Sequence, residues 1–262
     1  MPSVSNIAVG ALVAGAAASK ARHGMNESIA RLSTGLRSIY GGDAAGQSVA
    51  NTLQARSKSW AMAARNAEDG ISAAQTAESA LLEVAALAQR LRELGIQADN
   101  AALLSDDADE AAMNAEATAI GTAINSIVEK TTFNGITLLT QSDITRAVGV
   151  TDDGGTVTLT FKEVNAANRT AAAGADGSAD ATLKEVALGL GNIAAGIAAL
   201  KGRQAVAYSA SANLAAAAAR VEDTDFAKET ANLTKNSVLN QSAMAMVAQA
   251  NQAQSAILAV LQ

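Results

Sequence analysis

Few side chains in this 262-residue chain could carry out acid–base, nucleophilic or metal chemistry. Cysteine is absent and histidine occurs once, as His23, which excludes cysteine nucleophiles, zinc fingers, iron–sulfur clusters and histidine-based triads. Two carboxylate pairs, Asp106/Asp107 and Asp152/Asp153, are the clusters that could hold a metal ion or act as acid and base. Because the first falls at a predicted helix start and the second in a predicted hairpin turn, a helix cap and a solvated loop are favoured instead. The sequence therefore predicts no enzyme, no cofactor and no metal site.

Charge and composition also restrict the partners that the chain could bind. A net charge of −6 and an aromatic content of 2% argue against a nucleic-acid partner, which requires a basic surface or stacking side chains. The best apolar stretch, Ile7–Ala18, is shorter than the roughly 20 residues of a membrane span, so no membrane insertion is predicted. A membrane-active translocator that inserts Ile7–Ala18 is an alternative, which liposome binding would reveal. Since residues 1–6 contain no basic side chain, a cleaved secretory signal is not expected.

Helical periodicity dominates the rest of the chain. Proline occurs once, as Pro2, and 65 residues are alanine, the strongest helix former. Apolar residues recur at alternating spacings of three and four, which is the pattern of a coiled-coil seam. This pattern predicts five helices with one apolar stripe each. The stripes run through Val4–Leu32, Trp60–Leu91, Met113–Ile127, Leu183–Val221 and Leu239–Val260.

Breaks in this pattern divide the chain into segments. A glycine-rich linker spans Gly35–Gly46, a turn spans Asn100–Asp107, and a second turn follows at Phe133–Gly135. Alternating residues on both sides of Thr151–Thr156 predict a β-hairpin, and Asn165–Asp180 is predicted to be a flexible loop. The predicted fold class is mainly α, a long antiparallel coiled-coil bundle of the N- and C-terminal arms with a small β-hairpin region at mid-chain. The predicted segments are 1–43, 44–140, 141–180, 181–222 and 223–262.

The two terminal helices are predicted to depend on neighbouring molecules. Their stripes consist largely of alanine, so each helix buries little apolar area and cannot hold an isolated helix pair together firmly. Frayed tails are one interpretation, and tails that become ordered against neighbouring copies are the favoured one. The acidic cluster Glu222–Asp225 suits the start of the last helix. The residues predicted to pack in the core of such an assembly are Ile7, Ala11, Ala14, Ala18, Met25, Leu32, Leu239, Met246, Ala250 and Ile257.

Several segments resemble the sequence motifs of bacterial flagellins. Ala30–Arg37 is similar to the family's E-R-L-S-(S/T)-G-L-R motif, and Arg65–Ser72 is similar to R-N-A-N-D-G-I-S. Near the C-terminus, Arg220–Glu229 resembles R-I-E-D-A-D-Y-A-x-E. The resemblance covers roughly residues 1–140 and 180–262, with its motifs in the family's order. Further matching segments are Asp43–Ala50, Gln75–Glu78, Gln89–Leu94, Thr132–Gly135 and Ala248–Gln252.

The resemblance implies a structural protein that polymerises into the flagellar filament and transmits rotation as thrust. The short central region implies a minimal flagellin, with an inner coiled-coil layer, an outer helical layer with a hairpin, and no large outer domains. One departure from the family, Ser38–Gly42 in place of its N-S-A-x-D linker, leaves the tilt between the end helices and the body open. A hook–filament junction protein shares this architecture and is the alternative, which would be distinguished by whether copies polymerise alone into long filaments.

The resemblance also implies a location and a set of partners. The chain is expected to be secreted unfolded through a type III channel and to reside in the extracellular filament. Its expected partners are other copies of itself, junction and cap proteins, and an export chaperone that binds the C-terminal helix.

A recognition face for a host receptor is implied as well. In many flagellins a segment like Gln89–Gln97, together with an acid on the next helix, is bound by Toll-like receptor 5. The matching residues here are Arg90, Leu94, Gln97 and Glu116. The first three share one helix face because positions i, i+4 and i+7 align, so Leu94 is expected to be an exposed apolar anchor beside Arg90. In a filament, the same face is expected to pack against the next subunit.

Overall fold

The computed structural model describes residues 3–37, 42–100, 107–140, 142–164 and 171–260. The side chains of residues 3–8, 107, 257, 258 and 260 lie outside this description. The described chain is mainly helical, as predicted, with long α-helices and two antiparallel hairpins. The helices are α1 (Ser3–Thr34), α2 (Ala44–Ala98), α3 (Asp107–Lys130), α4 (Ala175–Glu222) and α5 (Phe226–Val260). The strands are β1 (Thr132–Phe133), β2 (Ile136–Thr137), β3 (Ile144–Gly149) and β4 (Thr156–Phe161).

Contacts divide the chain into two compact units. Unit 1 comprises Met1–Ala55 and Leu214–Gln262 and contains the paired helices α1 and α5. Unit 2 comprises Arg56–Asn213 and contains α3, both hairpins and most of α2 and α4. The segment boundaries predicted after residues 43 and 222 coincide with the start of α2 and the end of α4, whereas the division into units falls inside these two helices.

Unit 2 is built on the apolar stripes that the sequence predicts for α2, α3 and α4. On α2 the predicted positions from Ala63 to Leu91 are all buried. On α4, burial recurs every seventh residue at Val186, Ile193 and Leu200, as a coiled-coil seam requires. Removing each such large side chain from water contributes about 1.5–3 kcal/mol to folding. The largest fully buried side chains of this core include Phe161, Leu81, Leu91, Leu94, Ile124, Leu139, Leu159, Ile193 and Leu200.

A short hairpin follows α3. Its turn residues Asn134 and Gly135 have φ values of 49° and 75°, the positive values that a type I′ turn requires at both central positions. Phe133 and Ile136 pair directly across this turn. The turn at this place was predicted, but the two-residue strands are too short for their alternation to be recognised in the sequence.

The hairpin predicted around Thr151–Thr156 is confirmed as β3 and β4. Six residue pairs join the strands in antiparallel register, and Leu159 and Phe161 are buried in the core of unit 2. The turn is exposed at residues 153–156, as predicted for a solvated loop, but the side chain of Asp152 is only 10% exposed. Its Oδ2 accepts a hydrogen bond from Arg56 Nε of α2 at 2.7 Å, which anchors the turn to that helix.

Three further expectations need correction or lie outside the described residues. Residues 175–180, predicted to belong to a flexible loop, form the first turns of α4. Asp106 and most of the linker segment Ser38–Gly42 lie outside the described residues. By length and hydropathy α4 could cross a membrane, contrary to the expectation that no segment could. Core helices of soluble proteins meet the same criterion, and one face of α4 lies in the core of unit 2.

Gly95 allows the end of α2 to approach the start of α4 closely. A Cβ atom added there would overlap the backbone nitrogen of Asp176 and stand 3.0 Å from the carbonyl carbon of Ala175. We expect Gly95→Ala to lower the free energy of unfolding by about 1–3 kcal/mol, because the backbone of one helix must shift.

The matched control is Gly191→Ala on α4, where an added Cβ meets open space. This substitution is expected to raise the free energy of unfolding by about 0.5–1 kcal/mol, since alanine is the better helix former. Urea unfolding followed by circular dichroism measures both variants. Equal stability of the two would contradict the close approach of α2 and α4 at Gly95.

Candidate assembly surfaces

α1 packs against α5 through the stripe that the sequence predicts for α1. Ala18, Ala21 and Ser28 are buried, whereas the flanking stripe positions are half-buried. Small side chains allow a close approach of the two helices but remove little apolar area from water. The side chain of Ile7 lies outside the described residues. The half-buried positions of this stripe are Ala11, Ala14, Met25 and Leu32.

The stripe predicted for α5 is partly wrong. Leu239 and Met246 are 49% and 59% exposed, so neither is buried in the seam with α1, and Met246 borders a surface cavity beside Gly10 of α1. The inner face of α5 is offset from them and is polar over its first half. There the amide of Asn236 lies against Gly24, where an added Cβ would stand 2.7 Å from the amide nitrogen. The apolar spacing predicted Ala243 and Ala250 on this face, but it missed the polar members Glu229, Asn236 and Asn240.

The polar side chains of the α1–α5 seam are incompletely paired. Glu229 Oε1 and Asn240 Oδ1 are buried and form no hydrogen bond within the described part of the chain. Arg31 Nη1 lies 3.6 Å from Glu229 Oε1, which makes an ion pair but exceeds hydrogen-bond distance. Each buried polar atom left without a partner costs about 1–3 kcal/mol. The long α1–α5 pair is therefore held only weakly.

The outward faces of α1 and α5 are more apolar than the seam between the two helices. On α1, Val9, Leu12 and Val13 share one side because positions i, i+3 and i+4 are neighbours, and Leu12 is 75% exposed. Contiguous exposed aliphatic side chains of this kind mark interaction surfaces in soluble proteins. We use the term outward faces for the exposed set Val9, Leu12, Val13, Ile29, Val238, Leu239, Met244 and Met246.

The segment after α1 and the end of α4 meet at Glu222. The sequence analysis named this residue only as part of an acidic cluster and did not predict its contacts. The buried carboxylate accepts hydrogen bonds from Gln54 Nε2 at 2.6 Å and Gln47 Nε2 at 3.2 Å. Its backbone carbonyl accepts a further bond from Arg37 N at 2.7 Å. The signal in the sequence is the spacing of seven between the two glutamines, which puts both on one face of α2. The acidic cluster acts as predicted, because Asp225 Oδ1 caps the first turn of α5.

In unit 2 the structure brings Arg90 and Glu116 together. Arg90 Nη2 lies 2.8 Å from Glu116 Oε1, and Arg90 Nη1 lies 3.0 Å from Glu93 Oε2. These hydrogen bonds, that to Glu116 most of all, raise the pKa of Arg90. Gln97 is exposed, but Leu94 is 1% exposed, so the expectation of an exposed apolar anchor at Leu94 is wrong.

Leu94 is buried because α2 is covered on two sides in this region. The ion pair between Arg90 and Glu116 joins α3 to α2, and a second pair between Arg92 and Asp180, at 2.8 Å, joins the start of α4 to α2. The buried stripe of α2 is consequently wider than a single coiled-coil seam, and position 94 falls inside it.

Within the described part of the chain, the side chains considered above for metal binding or acid–base chemistry form no common site. Among the described residues, no group of three or more His, Cys, Asp or Glu side chains is placed to hold a metal ion. The side chain of His23 is 81% exposed and lies 3.9 Å from Glu27. The Lys162 ammonium donates hydrogen bonds to both oxygens of Asp143 at 2.9 Å, and the two residues form a surface ion pair beside the β3–β4 hairpin. These hydrogen bonds lower the pKa of the Asp143 carboxyl.

Comparison with known proteins matches both ends of the chain. The bacterial flagellin N-terminal helical region matches residues 6–143, and the bacterial flagellin C-terminal helical region matches residues 199–261. A flagellin of Halalkalibacterium halodurans is 36% identical over 88% of this chain and 89% of its own length. A flagellin of Bacillus subtilis is 34% identical over 88% of this chain and 90% of its own length. A flagellin of Salmonella typhimurium is 40% identical over 56% of this chain but only 29% of its own length.

The matched regions contain the elements that form the α1–α5 seam and much of the core of unit 2. Two of the relatives align over nearly their full length, which is expected of flagellins that share a short central region. None of these relatives is a junction protein, so the comparison gives no support to that alternative. With both helical regions matched in order, and with full-length relatives above 30% identity, the chain belongs to the bacterial flagellins, the structural subunits of the flagellar filament.

Proposed function

We propose that copies of this flagellin polymerise through the outward faces of α1 and α5. The observation that carries the proposal is the exposure of large aliphatic side chains such as Leu12 and Leu239 on helices whose mutual seam is small and polar. Burying each such side chain against a neighbouring copy would contribute about 1.5–3 kcal/mol. Contacts between unlike faces repeat without closing, and such contacts generate an open helical polymer.

The residues assigned to the filament core then act in two ways. Ala18 and its neighbours on the stripe of α1 hold that helix on α5 within one subunit, together with Ala250. Leu239 and Met246 are largely exposed beside this seam and are available for contacts between subunits. Ile7 and Ile257, whose side chains lie outside the described residues, belong to the same two helices.

The other partners follow from the same surface. An export chaperone on α5 would cover Val238, Leu239 and Met244 before assembly, since exposed aliphatic clusters favour aggregation. Secretion through a type III channel requires an unfolded chain, and the weak α1–α5 seam would lower the cost of unfolding those helices. Junction and cap proteins would meet the same faces at the two ends of the filament.

The first test of this function removes one outward side chain. Leu12→Ser should slow filament elongation by about tenfold or more, because the contact loses about 1.5–3 kcal/mol of apolar burial. Leu12→Met keeps an apolar side chain of similar size and should elongate like the wild type. Light scattering of seeded reactions gives the rates, and negative-stain images give filament lengths. Normal elongation of Leu12→Ser would contradict the proposal.

A second test removes the terminal helices. Deletion of residues 1–32 or 239–262 should leave a soluble and largely folded body, because the core of unit 2 lies within Arg56–Asn213. The truncated chains should form no filaments. Thermal unfolding by circular dichroism measures the remaining fold, and sedimentation velocity measures assembly. If the double truncation still polymerised, the end helices would not be the assembly surface.

A third test concerns the receptor surface, which we assign to Arg90, Gln97 and Glu116 without Leu94. Depolymerised wild-type protein should activate reporter cells that express Toll-like receptor 5, and Arg90→Ala should reduce this response. Leu94→Ala should instead lower the free energy of unfolding by about 2–5 kcal/mol, because Leu94 is a core residue. A silent wild type, or full activity of Arg90→Ala, would remove the receptor site from this face.

A further inference from the structure

Unit 2 contains an open groove between α2 and the two hairpins. Its deeper part, a cavity of about 350 Å³, is lined chiefly by Gly70, Ala73, Phe133, Val148, Leu159 and Phe161. A second cavity of about 420 Å³ adjoins it along α2 and is lined by Lys58, Met62 and Thr151, among others. Asn66 and Gly149 border both cavities, so the two form one surface, which we call the hairpin groove.

The walls of the hairpin groove are held in place before any partner binds. Gly70 lets Val148 of β3 approach α2, since an added Cβ would stand 3.0 Å from a methyl group of Val148. Asn66 Nδ2 donates to the carbonyl of Gly149 at 3.3 Å. The ion pair between Arg56 and Asp152 fixes the far end of the same hairpin. A preformed apolar cavity can be filled with little loss of conformational entropy, and about 350 Å³ leaves room for a large aliphatic side chain together with its neighbours.

The rim of the groove carries an excess of positive charge. Lys58 and Arg146 are exposed and form no ion pair within the described residues. The guanidinium of Arg146 has a single hydrogen bond, from Nη2 to the carbonyl of Thr137 at 3.3 Å. Asp69 is the carboxylate on this rim. The groove is therefore complementary to an apolar side chain that has carboxylates beside it.

The same chain carries a side chain of this description. Leu82 on α2 is 55% exposed, and Glu78 precedes it by one helical turn while Glu83 follows it directly. Neither glutamate forms an ion pair within the described part of the chain.

The other exposed aliphatic side chains of unit 2 have different neighbours. Near Ile96, Arg92 and Glu93 are already paired with other side chains. Met62 has Lys58 one turn before it and lines the groove itself. Leu188 and Val206 each follow a basic side chain by three or four residues, and Ile136 borders the groove itself. Leu82 is thus the best match to the charge of the rim.

We propose that Leu82 of one copy enters the hairpin groove of a second copy, with Glu78 and Glu83 facing Lys58 and Arg146. One chain cannot make this contact with itself, because Leu82 and Gly70 lie about 18 Å apart on the same continuous helix. Leu82 and the hairpin groove are different surfaces of the subunit, so the proposed contact can repeat from copy to copy. The inference rests on the proposed polymerisation and adds to it a contact made by unit 2.

Charge reversal tests the electrostatic part of the contact. Arg146→Glu and Glu83→Arg should each slow seeded elongation by about tenfold at low salt, because like charges then face each other. The double variant Arg146→Glu/Glu83→Arg should restore most of the wild-type rate. Arg203→Glu and Glu129→Arg change the net charge equally at exposed positions outside the contact, and both should elongate normally. Single variants that elongate as fast as their controls would overturn the contact. Slowed single variants that the double variant fails to rescue would overturn it as well.

Cross-linking tests the position of Leu82 directly, because the chain contains no cysteine. Mixed Leu82→Cys and Ile136→Cys variants should form a disulfide between copies during assembly, since Ile136 borders the groove. A mixture of Leu188→Cys and Ile136→Cys is the control and should cross-link at least about tenfold less, as expected for cysteines that are not held within bonding distance. Equal cross-linking of both mixtures in normal filaments would overturn this contact while leaving the filament function intact. A wild type that forms no filaments would overturn the proposed polymerisation and the contact with it.

Discussion

Close packing of long helices through alanine and glycine is the constraint on which the rest of this flagellin depends. Small side chains let helix backbones approach until the two backbones nearly touch, as at Gly95 against Ala175. Where a large aliphatic side chain packs beside small residues, as Leu200 does at Gly70, the close approach is stabilised by burial, and where such side chains are lacking it is not. The strength of each helix pair therefore depends on whether large apolar side chains pack beside the small residues.

The two units show the two outcomes of this constraint. In unit 2, Leu81, Ile124 and Phe161 join the alanine seam, and a contiguous apolar core results. In unit 1, the α1–α5 seam combines alanine with polar groups, of which Glu229 Oε1 and Asn240 Oδ1 have no hydrogen-bond partner. Unit 1 therefore leaves its larger apolar side chains exposed, and the proposed polymerisation would bury them against other copies. This arrangement links the energetics of the fold to the function of the family.

Several charged groups in this chain position secondary-structure elements. Arg90 with Glu116, Arg92 with Asp180, and Arg56 with Asp152 each join two elements of unit 2. The first two pairs are exposed and contribute about 0–1 kcal/mol each, so their role is to select the alignment of helices that the core already stabilises. The charges that remain unpaired, such as Lys58, are the ones available to a partner.

The sequence alone determined the helical class, the stripes of α1, α2 and α4, the β3–β4 hairpin and the family. These features depend on local spacing, on turn residues and on motifs in a fixed order, all of which can be recognised in the amino-acid sequence. The resemblance also assigned Arg90 and Glu116 to one recognition face, and the structure places these two side chains 2.8 Å apart.

Only the tertiary structure decided which of several apolar faces is buried. Leu94 is buried because two further helices cover α2, and spacing along one helix cannot count its neighbours. Leu239 and Met246 stay largely exposed while the polar side chain of Asn236 lies against Gly24, a contact that an apolar pattern does not record. Glu222 gained its two glutamine partners from residues more than 160 positions away in the chain. Local spacing fixes where a helix can be apolar, whereas the packing of distant segments fixes which of those faces the subunit buries.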